Sequence, residues 1–164
     1  MKGVVLSDTH SPRRWKGCPP ALLPHLEAAE VILHAGDVCT PDVLDWLSTF
    51  APVHVVVGNN DVPEVAEWGA PETLQLDLAG VQVGMVHDSG QRQGRGSRLR
   101  GLFPGADLVV FGHSHIPLDE TADGVRILNP GSPTDRRRQP AGTLALLDLR
   151  DGVVVDVRIE ELPR

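Results

Sequence analysis

Val4-Val5-Leu6-Ser7-Asp8-Thr9-His10 is an apolar, β-branched run that stops on an aspartate and a histidine two residues apart. The same arrangement returns along the chain. Gly36-Asp37 follows Val31-Ile32-Leu33, Gly58-Asn59-Asn60-Asp61 follows Val53 to Val57, His87 closes Val83-Gly84-Met85-Val86, and Gly112-His113-Ser114-His115 closes Leu108-Val109-Val110-Phe111. Short apolar runs bounded by turn residues are expected strands, and open α/β sheets bind ligands outside the carboxyl ends of their strands. Hard oxygen donors and imidazoles collected at those ends describe a metal site.

Around these runs the first half alternates strands with helical segments, Pro20 to Ala29 and Pro41 to Phe50, the signature of βαβ units and a parallel sheet. In the second helix Pro41 suits the first turn and Thr40 the N-cap. The second half reads as strands: Leu74 to Leu78 and Val81 to Val86 flank Ala79-Gly80 as a hairpin, and Val125 to Leu128, Thr143 to Leu149 and Val153 to Ile159 follow, the last two joined by Asp151-Gly152. Two packed sheets with helices outside are expected. Gln91 to Ser97, rich in Gly, Gln and Arg, reads as a mobile loop beside His87.

The chain has 164 residues, 41% of them hydrophobic, which suits one domain over residues 1–164 and burial of roughly 70% of the unfolded surface. A net charge of −7 argues against a nucleic-acid polymer as partner, because phosphate backbones demand a basic face. Cys18 and Cys39 form no C-x-x-C pattern and suit a reducing compartment. The chain starts directly on a strand and no apolar run approaches ~18 residues, so neither signal peptide nor membrane anchor is expected and the expected location is cytoplasmic.

Taken in order and spacing, Asp8-Thr9-His10, Gly36-Asp37, Gly58-Asn59-Asn60-Asp61, His87, Gly112-His113-Ser114-His115 and Asn129-Pro130-Gly131-Ser132 resemble the calcineurin-like metallophosphoesterases, in particular their small single-domain bacterial and archaeal phosphodiesterase branch. The resemblance spans nearly the whole chain. It implies an α/β fold, a four-layer α-β-β-α sandwich of two mixed sheets, with a binuclear centre at the strand ends. Asp37 would bridge two divalent ions; Asp8, His10 and His115 would complete one, and Asn59, His87 and His113 the other. Ligation by N and O without thiolate points to Mn²⁺ first, with Fe²⁺, Zn²⁺ or Ni²⁺ as alternatives. Such a pair of ions provides a hydroxide nucleophile and neutralises the phosphoryl oxygens of a small phosphodiester; Asp37, Asn59 and His87 are the catalytic candidates. The i, i+2 spacing in Asp8/His10 and His113/His115 suits extended or turning backbone, where alternate side chains share one side.

Two departures stand out. Many relatives carry a histidine thought to protonate the leaving group, and Asn60 occupies that place; an amide cannot give up a proton at neutral pH. Relatives often show H-G-H where this chain has His87-Asp88-Ser89. Asn60 and the arginines Arg92, Arg95 and Arg98, which follow His87, are candidate substrate-binding residues; Arg13-Arg14 and Arg136-Arg137-Arg138 also adjoin expected site loops. His25, His54 and His34 fit no ligand position and read as structural or surface groups, Cys39 as a small core filler, the glycines of the motifs as tight-turn residues, and Asn129 to Ser132 as a structural turn under the site. The leading expectation is a phosphodiesterase, with a phosphomonoesterase or a non-catalytic scaffold on the same fold, like the retromer subunit resembling these enzymes, as alternatives. Relatives are often dimers or tetramers, so a homo-oligomer is also expected.

Overall fold

β-Branched and aliphatic runs of three to ten residues pair into two mixed sheets. The computed structural model describes residues 1–163. In the first sheet β1 (Lys2–Leu6), β2 (Val31–His34) and β3 (Val53–Val55) run parallel, and β9 (Gly142–Arg150) and β10 (Val153–Leu162) extend it antiparallel, in the order β10-β9-β1-β2-β3. In the second, the hairpin β4 (Thr73–Leu78) and β5 (Val81–Val86) joins β6 (Leu108–Val110), β8 (Val125–Asn129) and β7 (Leu118–Ala122), in the order β4-β5-β6-β8-β7. Here β5, β6 and β8 are the parallel centre.

Alternation of side chains across each strand divides the apolar residues into three cores. Val4, Leu6 and Ile32 face Leu22, Leu26, Leu44 and Leu47 of the first helical layer, made of α1 (Leu23–Glu27), α2 (Asp42–Leu47) and α3 (Pro63–Trp68). Val5, Val31 and Leu33 face the opposite way, onto Val83, Met85, Val110 and Leu128 of the second sheet. Val109, Phe111 and Ile127 on that sheet's outer side receive Leu99 from α4 (Arg95–Leu102). The layers are therefore helices, sheet, sheet, helix, the four-layer sandwich expected.

Several elements differ from the sequence reading. The first helical segment is a 3-10 turn at Pro20–Leu22 followed by α1, because Pro24 and the early stop at Ala28 leave little room for regular helix. In α2 the first helical residue is Asp42, so Pro41 rather than Thr40 stands at the cap, and the Thr40 hydroxyl turns to the Asp42 carboxylate. Gln91 to Ser97 is not one loop: α4 begins at Arg95, and the turn before it is fastened by Arg98. Strand β7 and helix α3 lacked a clean periodic signal, β7 being mostly exposed on an edge. No helix among the described residues is long and apolar enough to cross a membrane.

Candidate metal centre

The parallel strands β1, β2, β3, β5, β6 and β8 all deliver their carboxyl ends to one edge of the sandwich, and the motif loops follow directly. Asp8 and His10 leave β1, Asp37 leaves β2, Asn59 and Asn60 leave β3, His87 follows β5, and His113 and His115 follow β6. The loops interlock through backbone: Asp8 N–H donates to Gly36 O at 2.9 Å, His10 N–H to Asp37 O at 3.0 Å and Gly112 N–H to His87 O at 2.9 Å.

Six residues of these loops, Asp8, His10, Asp37, Cys39, His113 and His115, hold φ between 50° and 72°. Side chains rarely adopt this left-handed region, at a cost of roughly 1–2 kcal/mol per residue. The i, i+2 spacing therefore works through turning backbone and not through an extended strand. Concentrated strain of this kind is tolerated where the surroundings over-determine a site.

The loops also come unusually close. Gly36 has φ +93°, and a Cβ there would sit 2.8 Å from His87 Nδ1; Cβ atoms on Gly58 and Gly112 would strike Asp37 and Ser7 respectively. Gly58 and Gly112 thus serve close approach, whereas only Gly36 uses the backbone freedom expected of a tight turn.

The donor set converges on Asp8 and Asp37, both buried. His115 Nε2 lies 3.3 Å, His10 Nε2 3.8 Å and His87 Nε2 4.0 Å from Asp8 Oδ1. His87 Nε2 lies 3.4 Å and His10 Nε2 3.8 Å from Asp37 Oδ2. Asn59 Oδ1 is 3.0 Å from both His87 Nε2 and His113 Nδ1. Five of the seven expected ligands form two groups sharing Asp8, namely Asp8, His10 and His115, and Asp8, Asp37 and His87, and Asn59 and His113 adjoin the second group through His87.

The Nδ1–H of His87 donates to Ala35 O at 2.7 Å and that of His115 to Asp135 O at 2.6 Å. A carbonyl only accepts, so in the neutral rings both Nε2 atoms are bare lone pairs. They face a carboxylate oxygen, Asp8 Oδ1, that is buried and has no hydrogen-bond donor among the described residues. Lone pairs aimed at a buried anion are repulsive unless a positive charge lies between them, either a proton or a metal ion. The residues fit the cation.

Electrostatics agree. Burial pushes the Asp8 carboxyl up, but His115, Ser7 and His87 pull it below its ordinary value. Asp37 is likewise opposed by burial and held well below the carboxylate range by His87 and Asn60. Burial disfavours charge on His87 and His115, yet Asp37 acting on His87, and Asp8 on His115, raise both. His10 is lowered, chiefly by burial. At Asp8, Asp37, His87 and His115 the pocket attracts positive charge; at His10 burial outweighs that pull.

Neighbouring groups orient these ligands. Asp61 accepts from the N–H of Gly58 at 2.6 Å, of Cys39 at 2.6 Å and of Asp37 at 3.1 Å, clamping two ligand loops. Ser7 Oγ and the His113 N–H donate to Asp8 Oδ2 at 2.6 and 3.0 Å. Asn60 donates from its backbone to Asp37 Oδ1 at 2.8 Å and from its amide to Asp37 Oδ2 at 2.6 Å, so its side chain positions the expected bridging carboxylate. Asn129 Nδ2 donates to Gly112 O, and Ser132 Oγ donates to Asp8 O while receiving the Asp135 N–H, which places this turn beneath the centre. Asp61 closes the Gly58 to Asp61 motif, although its clamping role is not legible from it; only adjacency to a motif could have suggested Ser7, and Asp135 carried no signal.

Other residues fall as follows. His34 is fully buried, takes the Gly36 N–H on Nδ1 at 3.2 Å and faces Thr9 Oγ1 at 3.1 Å, and burial pushes its pKa down to about 3. His25 lies on α1 and His54 on β3, away from the centre. Cys39 is not a core filler: it is half-buried at the site, its Sγ 3.4 Å from His10 Nδ1, with burial pushing the thiol up to about 11. Both cysteines are free.

The arginines divide against expectation. Arg98 donates to Ser89 O and Gln91 O, and Arg95 lies over the Phe111 ring at 5.1 Å, so neither guanidinium is aimed at the centre. Arg92 is exposed with no polar side-chain partner among the described residues. The cavity beside the centre is lined instead by Arg13, Arg14 and Arg137, together with His10 and Asn60.

Comparison with known proteins agrees with this geometry. Residues 1–152 match the family model described as the calcineurin-like phosphoesterase superfamily domain. A probable metallophosphoesterase of Methanothermobacter thermautotrophicus is 37% identical over 157 residues, covering 94% of this chain and 89% of that protein. The crystal structure of wild-type Vps29 from Entamoeba histolytica complexed with Zn²⁺ superposes with a TM-score of 0.78 at 27% identity, covering 98% of this chain and 97% of that one. An archaeal phosphodiesterase, at 22% identity and TM-score 0.74 over 99% of this chain and 100% of its own, shares the fold. The chain belongs to the calcineurin-like phosphoesterase superfamily.

Proposed function

We propose that this chain is a binuclear metal-dependent phosphodiesterase, acting as one domain in the cytoplasm, with Asp8, His10, Asp37, Asn59, His87, His113 and His115 as ligands and Asp37 as the bridge. The observation that carries the reading is Asp8 Oδ1, a buried carboxylate oxygen facing three imidazole Nε2 atoms within 4.0 Å and lacking a donor among the described residues. Two divalent ions, Mn²⁺ foremost, would supply a nucleophile at neutral pH and neutralise phosphoryl charge. The chain itself fixes the donors: Asn60 and Asp61 hold Asp37, Ala35 and Asp135 set the tautomers of His87 and His115, and Ser7 holds Asp8. With an amide at Asn60 in place of an acid, diesters with good leaving groups are favoured.

Metal analysis after Mn²⁺ reconstitution should find about two ions per chain, with hydrolysis of bis(4-nitrophenyl) phosphate. Asp37→Ala should lose at least one ion and lower kcat by about 10³-fold or more. Wild type that retains no metal, or a variant that retains it all, overturns the proposal. The bare Nε2 atoms of His87 and His115 bind either proton or metal, and their raised pKa values set the direction: metal is retained at high pH and released as pH falls through those values. Dialysis from about pH 8 to about pH 5 reads this release. His34, held neutral by burial, takes no part.

The likeness to Vps29 favours a second reading, a non-catalytic scaffold, and Ile116, 54% exposed beside His115, is an apolar group such a partner could cover. A full donor set bound to metal without hydrolysis of any aryl diester or monoester would support it. Faster hydrolysis of monoesters would indicate a phosphomonoesterase.

A further inference from the structure

Beside the donor set lies a cavity of about 380 Å³ whose floor is shared with the centre through His10 and Asn60 and whose walls carry Arg13, Arg14 and Arg137. Two segments distant in sequence build it. The Arg14 N–H donates to His10 O at 2.7 Å, a turn that carries Arg13 and Arg14 back over their own ligand loop, and Trp15, 8% exposed, anchors the turn in the core. From the other side, Thr134 Oγ1 donates to Thr9 O at 2.8 Å and Ser132 Oγ to Asp8 O at 2.8 Å, docking the loop that bears Asp135 and Arg137. Arg137 holds φ 48°, a left-handed conformation.

The charges are nearly uncompensated. Asp135 is the one carboxylate on the wall; its Oδ2 lies 3.7 Å from Arg14 Nε and 3.9 Å from His115 Nδ1. Arg137 spends a single N–H on His113 O at 3.4 Å, and Arg13 has no polar side-chain partner among the described residues. Three guanidinium ions, each with five N–H donors, thus meet one carboxylate among the lining residues, an excess of two positive charges on the walls in a chain of net charge −7, while Asp8 and Asp37, behind His10, would be matched by the proposed metal ions. The chain's net charge of −7 disfavours a nucleic-acid polymer. Its volume exceeds what one phosphoryl group on the metals would use and suits a small polar ligand.

We propose that Arg13, Arg14 and Arg137 form a second anion subsite, and that the substrate carries a further phosphate group beside the diester being cleaved. This rests on the phosphoesterase reading for where the diester lies. Guanidinium recognises phosphate bidentately, a geometry lysine would not offer.

The test uses Mn²⁺-loaded protein at fixed ionic strength and calorimetric titration with adenosine 5′-monophosphate and adenosine 3′,5′-bisphosphate. Wild type should bind the bisphosphate about tenfold more tightly or better. In the triple variant Arg13→Ala, Arg14→Ala, Arg137→Ala that preference should fall to within about twofold with metal content retained, whereas Arg138→Ala, on the same loop but outside the cavity, should keep it. Equal binding by wild type, a preference that survives in the triple variant, or an equal loss in Arg138→Ala overturns the subsite. Hydrolysis of bis(4-nitrophenyl) phosphate without any bisphosphate preference would remove the subsite and leave the phosphodiesterase reading standing. An arginine-dependent preference without hydrolysis of any ester would do the reverse.

Discussion

Two arginine-bearing rims border the metal centre, and the chain uses them for different ends. On the rim that follows β5, Arg98 donates to Ser89 O at 3.0 and 2.7 Å and to Gln91 O at 2.5 Å, and Arg95 covers the Phe111 face at 5.1 Å. On the opposite rim, Arg13, Arg14 and Arg137 leave most of their donors facing a cavity. Both rims lie on loop segments that lead away from the candidate centre. What separates them is the supply of backbone acceptors: the 89–93 turn has carbonyls that no strand or helix satisfies, and a nearby guanidinium fills them before any ligand arrives. An arginine beside a motif becomes informative about substrate only once its own carbonyl neighbours are counted.

Stability should show the contrast most strongly. Arg98→Ala leaves the Ser89 and Gln91 carbonyls without their donor and should lower the free energy of unfolding by about 1–2 kcal/mol, discounted for the exposure of the side chain. Arg95→Ala should cost about 0.5–1 kcal/mol through the lost cation–π contact, and Arg92→Ala less than about 0.5 kcal/mol. Denaturant melts give these values, and KM for bis(4-nitrophenyl) phosphate should change by less than about twofold in all three. A clear rise in KM at Arg92 or Arg98 with stability intact would bring the substrate back to that rim and break the comparison.

Most of the candidate donor set was legible in the sequence because each donor sits within five residues of a strand's end, and strand ends are what apolar runs report best. The rule that parallel strands share a carboxyl edge was enough to gather Asp8, Asp37, His87 and His115 at one edge, whereas their assignment as ligands rested on the family resemblance. The left-handed backbone at His10 and His115 was not legible, since nothing in a D-x-H or H-x-H pattern says which dihedrals bring both side chains to one point. Nor was the meeting of Arg13 with Arg137, separated by more than a hundred residues, or the diversion of Arg98 to carbonyls only seven to nine residues away. Cys39 reads as apolar in composition, yet its placement follows from Asp61 clamping its N–H and Asp37's together, a side-chain to backbone bond with no sequence period.

The smallest effect, and the one that asks which rim the leaving group faces, is expected at Asn60. Its amide donates to Asp37 Oδ2 at 2.6 Å while its side chain also lines the arginine cavity, so it touches both the ligand set and the space the substrate would fill. Without an acid there, the rate should fall steeply as leaving-group pKa rises, since an alkoxide needs a proton and a nitrophenolate does not. Asn60→His keeps a donor for Asp37 in a side chain of similar size and adds a group that titrates near neutrality. If the leaving group departs toward Arg13 and Arg137, the slope should flatten, with alkyl diesters gaining about threefold to tenfold relative to aryl diesters, below the range of a fully evolved acid. If it departs toward Asp88 and Arg92, aryl and alkyl rates should change in parallel. Metal content must be measured on the same samples, because an imidazole in place of the amide that now lies 2.6 Å from Asp37 Oδ2 could itself capture an ion; parallel rates at full metal occupancy would move the leaving group to the other rim.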